Sequence, residues 1–76
     1  MRTIEREWLK KARTEKGITM KEMARRLDIS ESYYCFIENG ERQKKMDVTR
    51  INGLSAVLGI PAAEIMRKEI KYAEGK

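Results

Sequence analysis

Between Leu27 and Ser30 stand only Asp28 and Ile29, and on both sides of them apolar residues recur with helical spacing. Met23, Ala24 and Leu27 form the apolar face of the run before this joint. Tyr33 and Tyr34 lie four and three residues before Ile37 in the run after it, so they share its face. Two short helices joined by so short a turn must cross tightly. The crossing needs a small residue where the helices touch, and Ala24 supplies it. The turn needs a residue that tolerates a positive φ, and Asp28 supplies that. Ile29 then plugs the corner, and Ile37 anchors the second helix of the pair.

The rest of the chain reads the same way. Gly17, Gly40, Gly59 and Pro61 divide it into helix-sized pieces with almost no alternation of period two, so the fold class is all-α with five helices. The first helix is predicted from Thr3 to Lys16, with Ile4, Trp8, Leu9 and Ala12 on one stripe and Gly17 past its end. Trp8 is expected to be half-buried between the first and fifth helices. The second runs from Met20 to Leu27, and Thr19 with Glu22 fits the reciprocal capping box. Ser30 caps the third, which runs to about Asn39 before Gly40 stops it. Residues 41–46 form a polar, basic loop. Asp47 caps the fourth helix, to about Leu58, with Val48, Ile51, Leu54, Val57 and Leu58 inward. Gly53 inside it costs about 1 kcal/mol relative to Ala. Pro61 fits the first turn of the fifth helix, whose stripe is Ala62, Ile65, Met66 and Ile70. With 76 residues, the expectation is a single domain over 1–76. A chain this short buries only about 60% of its unfolded surface, so a partner is expected.

The side-chain inventory removes most chemistry. There is no His and one Cys (Cys35), so triads built on His, a His general base, an internal disulfide and a multi-Cys metal site are excluded. An enzyme is not expected, nor is a cofactor. Nothing basic adjoins Cys35 in sequence, which makes it an inert thiol rather than a redox switch. The longest uncharged run, Ile51 to Ala63, falls short of the ~20 apolar residues of a membrane span. No secretory signal is read, and a cytoplasmic location is expected. The 17 Lys and Arg against 12 Asp and Glu leave a net charge of +5, which favours a polyanionic partner. The charge is arranged in blocks. Residues 1–26 hold nine cations and four acids, residues 27–41 hold four acids and no cation, and residues 42–76 hold eight cations and four acids.

Leu9 and Arg13 precede Lys16-Gly17-Ile18-Thr19, and Glu22-Met23-Ala24 and Leu27-Asp28-Ile29-Ser30 follow. Ser32-Tyr33, Ile37-Glu38-Asn39-Gly40 and Leu58-Gly59-Ile60-Pro61 complete the pattern. From Leu9 to Met66 the sequence resembles the phage repressor/Cro (Xre-type) helix-turn-helix family. The resemblance implies a five-helix, lambda-repressor-like domain with its motif at about residues 19–40. It implies a transcriptional regulator, usually a repressor, that binds double-stranded operator DNA as a homodimer. The third helix would lie in the major groove, with half-sites about one helical turn apart.

Carried onto this sequence, the resemblance puts Glu31, Ser32 and Phe36 at base-reading positions, with Tyr33 at the flank. It puts Thr19, Met20, Asn39, Arg42, Lys44 and Lys45 near backbone phosphates. Arg13 and Glu38 match a structural salt bridge between the first and third helices. Ile65, Met66, Ile70 and Tyr72 form the expected dimer surface, and a chain this short is expected to lack a small-molecule effector site. Three departures stand out. Asp28 replaces the usual turn Gly, Tyr34 replaces a branched aliphatic, and the third helix carries no Lys or Arg. Glu31 can still accept a hydrogen bond from cytosine N4, and the aromatics can pack on thymine methyls. The acidic, aromatic third helix also leaves a second reading open, a protein-interaction module of antitoxin-like or phage or mobile-element accessory type.

Overall fold

The computed structural model describes residues 5–43 and 45–74. Five helices follow one another: α1 (Glu7–Glu15), α2 (Met20–Leu27), α3 (Glu31–Glu38), α4 (Val48–Leu58) and α5 (Ala62–Glu74). No strand occurs among the described residues. Local chemistry sets the helix ends. The side chains of Thr19, Ser30 and Asp47 accept from the backbone N–H of Glu22, Tyr33 and Arg50 at 3.1, 3.0 and 2.8 Å. Each satisfies one of the donors that a first helical turn leaves without a partner.

The joint behaves as its residue types require. Asp28 adopts φ 61 and ψ 44, the left-handed conformation. Its N–H donates to Arg25 O and that of Ile29 to Ala24 O, at 3.2 and 3.0 Å. This paired closure consumes two of the orphan carbonyls of α2 and turns the chain straight into α3. Ala24 is buried at the crossing, and Ile29 packs against the core beside it.

That core is drawn from every helix: Leu9, Met23, Ala24, Leu27, Tyr34, Ile37, Ile51, Leu54, Leu58 and Ile65. Gly53 faces α2, where a Cβ would stand 3.0 Å from Leu27 Cδ2. The glycine lets α4 approach α2 closely, which offsets its poor helix propensity.

Four expectations are corrected. First, α1 begins at Glu7, not Thr3, because Arg6 leaves helical geometry and donates its N–H to Glu38 O at 2.8 Å. Thr3 and Ile4 lie outside the described residues. Second, Val48 is 72% exposed rather than inward, since the core face of α4 starts one turn later at Ile51. Third, Ile65 is fully buried, so it seals the core of its own chain and is not on an outer dimer surface. Fourth, the capping box is only half formed. The Glu22 carboxylate does not return to Thr19 but takes Arg25 Nε at 3.0 Å and Arg26 Nε at 2.8 Å.

Those two guanidiniums, Arg25 before Arg26, pull the Glu22 carboxyl from 4.5 down to about 2. A depressed carboxyl stabilises the fold above its ordinary pKa, and that contribution is lost as pH falls through the folded value. Carboxyl NMR titration should therefore place the Glu22 midpoint near 2 and its small contribution to stability in the window from 4.5 down to about 2. A midpoint at the ordinary value would mean that the Arg25 and Arg26 contacts do not hold in solution.

Candidate nucleic-acid interface

The helix pair α2–α3 is fixed from behind by a buried polar cluster. Arg13 of α1 donates from Nε and Nη2 to the two Glu38 oxygens at 2.7 and 3.1 Å. Tyr34 Oη donates to the same carboxylate at 2.7 Å, and Arg13 Nη1 donates to Ile18 O at 2.8 Å. Both charged side chains are at most 10% exposed. The Glu38 hydrogen bonds raise the Arg13 pKa further above its ordinary value. Burial, then the Glu38 acceptor, pushes the Tyr34 phenol up, so it stays protonated throughout the neutral range. The pair is bidentate and every member is satisfied, which sets both the position and the rotation of α3 against α1.

With Tyr34, Ile37 and Glu38 turned inward, the opposite side of α3 faces out. Glu31 and Ser32 are exposed on its first turn, where the carboxylate of Glu31 also suits the positive end of the helix. Phe36 is 37% exposed one turn on, and the Arg42 guanidinium stands 5.4 Å from its ring centroid. Tyr33 is half-buried, and its Oη accepts from Gln43 Nε2 at 3.0 Å. Of the four expected base-reading residues, Glu31, Ser32 and Phe36 are therefore exposed along α3, and Tyr33 lies half-buried at their flank.

The expected phosphate-facing residues differ in exposure. Thr19 is exposed and its hydroxyl caps α2, while Met20 is half-buried against the core. Asn39 is half-buried, and its Oδ1 accepts from Glu41 N at 3.3 Å. Arg42 and Lys45 are exposed. Lys44 lies outside the described residues. On α5, Met66 and Ile70 are 52% and 58% exposed, whereas the Tyr72 ring packs under the Arg6 guanidinium.

Sequence reasoning missed Arg6, Glu69 and Gln43. Arg6 is fully buried and ties α5 to the end of α3. Nothing in Glu5-Arg6-Glu7 separates a buried cation from a solvated one, because the partners lie at least 31 residues away along the chain. The positive φ of Gln43, 56°, likewise has no local signature. Among the described residues no cluster of His, Cys, Asp and Glu could hold a metal ion. No helix among them is long and apolar enough to cross a membrane.

Comparison with known proteins agrees with the all-α fold. Residues 9–65 match the helix-turn-helix family. The chain is also similar to an uncharacterized HTH-type transcriptional regulator, YqaF, of Bacillus subtilis (strain 168). Identity is 47% over 45 residues, which is 59% of each chain, so the match spans little more than half the relative's length.

Proposed function

This chain belongs to the helix-turn-helix family, and from that premise we propose that it is a sequence-specific DNA-binding transcriptional regulator without catalytic activity. Residues 1–76 act as one domain, with the recognition motif at 19–40. The observation that carries the reading is the presentation of α3. A buried ion pair holds its back, its exposed side bears Glu31, Ser32 and Phe36 with Tyr33 half-buried at the flank, Arg42 stands over Phe36, and Lys45 is exposed in the loop that follows. The cations position the domain on phosphates and the α3 edge reads bases, which divides affinity from specificity. Thr19, Met20 and Asn39 border the same backbone track, as does Lys44 in the sequence.

The mechanism is occupancy. A homodimer sets two α3 helices in successive major grooves and excludes polymerase, which makes it a repressor. The exposed Met66 and Ile70 supply the apolar part of the dimer surface, and the half-buried Tyr72 contributes from the following turn. The site of action is the cytoplasm, and no cofactor or effector takes part. The relative's name as a transcriptional regulator supports the general reading.

One observation favours a second reading. Helix α3 carries no cation of its own, and its exposed edge is acidic and aromatic, which suits a protein partner as well as a groove. Selection from a random duplex pool at near-physiological salt decides between them. The regulator reading predicts an enriched inverted repeat with half-sites about 10 bp apart. Recovery of no motif would favour the protein-interaction module.

A further inference from the structure

The most heavily engaged side chain outside the expected interface is Arg6. It is fully buried, and all of its donor nitrogens are used. Nε and Nη2 clasp the Glu69 carboxylate of α5 at 2.7 and 2.9 Å. Nη1 donates to Ile37 O at 2.7 Å and Arg42 O at 3.3 Å, and Nη2 also donates to Gln43 O. The last turn of α3 contains no basic residue, so Arg6 brings the cation that its carbonyl end favours. Glu69 is in turn fixed by the Trp8 indole, whose Nε1 donates to Oε2 at 2.7 Å.

Gln43 continues the chain outward. Its carbonyl takes Arg6, its side-chain amide donates to Tyr33 Oη at 3.0 Å, and its Oε1 accepts from Asp47 N at 3.1 Å. A non-glycine residue at φ 56 is held there only if its surroundings require it. A continuous path thus runs Glu69–Arg6–Gln43–Tyr33, from α5 to the exposed edge of α3. A second branch fixes the Arg42 backbone, whose side chain stands over Phe36.

We propose that Arg6, clasped by Glu69, and Gln43 are positioning residues for the DNA-facing edge: they hold Tyr33 and Arg42 in place without touching DNA themselves. The proposal rests on the DNA-binding reading above. In functional terms, a rigid supporting shell keeps the contacting side chains within the narrow tolerance that recognition needs.

Two full-length variants test this. Gln43→Gly keeps the carbonyl for Arg6 and tolerates the positive φ, but releases Tyr33 and the Asp47 N–H. Glu69→Gln keeps an acceptor for Trp8 and removes the charge that clasps Arg6. Amide exchange and thermal melting are read without DNA, and affinity is read against the duplex recovered by selection and a scrambled duplex. In Gln43→Gly, exchange of the Asp47 amide is expected to rise and affinity for the selected duplex to fall by about tenfold, with the melting temperature held. Scrambled-duplex binding should change less, a split that a purely structural role would not give. Glu69→Gln should speed exchange around residues 41–43 in the same direction. Unchanged exchange in both variants would overturn the clamp. Faster exchange with unchanged affinity would overturn its positioning role while leaving DNA binding intact. If the unaltered chain bound neither duplex, the DNA reading would fall and the positioning role with it, and exchange would still report whether the clamp exists.

Discussion

Glu38→Ala is expected to lower the thermal midpoint of this chain by about 12–40 °C. Removing one partner of a buried ion pair typically costs about 3–5 kcal/mol, because the other charge is left in place without compensation. Each kcal/mol moves the midpoint of a domain of this size by about 4–8 °C. Here the loss is compounded, since the same carboxylate serves Arg13 and Tyr34. Total stability of natural domains is only about 5–15 kcal/mol, and a small core sits at the low end. The contrast is a joint replacement, Arg13→Met with Glu38→Leu and Tyr34→Phe, which removes the charges together and should restore most of the midpoint. Circular dichroism melts of the two variants measure the difference. A Glu38→Ala midpoint within a few degrees of the unaltered chain would show that the cluster does not organise α3.

The second large effect concerns affinity. Changing Arg42 and Lys45 together to alanine should weaken binding to all duplexes alike. Each phosphate contact contributes about 0.9 to the slope of log K against log salt, so the slope should flatten by about 1.8. Both side chains are exposed, and neither contributes to the apolar core, so folding should be preserved. Fluorescence anisotropy at several salt concentrations gives both quantities. A loss confined to the selected sequence would place these cations on bases rather than on the backbone. An unchanged slope would remove them from the interface altogether.

What was legible beforehand was mostly local. Asp28 and Ile29 between two amphipathic runs specify the tight crossing, and Thr19, Ser30 and Asp47 announce their helices through their own hydroxyls and carboxylate. The Arg13–Glu38 pairing was readable only through family resemblance, since 25 residues separate its members and spacing is silent on such contacts. Most failures share one cause. Val48, Ile65 and the start of α1 depend on how helices dock, and periodicity defines a face without saying what covers it. Arg6 is the sharpest case. Its sequence neighbours are two glutamates typical of a solvated surface, yet its partners on α5 and the α3–α4 loop bury it completely. Glu22 had a capping role available, but two arginines one turn ahead outcompeted it.

Base reading by the exposed side of α3 is the proposal on which the others depend. Its most direct test is the random-duplex selection run in parallel on the unaltered chain, Glu31→Ala and Phe36→Ala. Both positions are exposed and neither lies in the buried cluster, so the fold should persist. An inverted repeat is expected for the unaltered chain. Each variant should relax or change preference at a restricted position in both half-sites, with a discrimination loss of about 1–3 kcal/mol there. The same motif recovered from all three proteins, at equal stringency, would take base reading away from α3 and place it on another element.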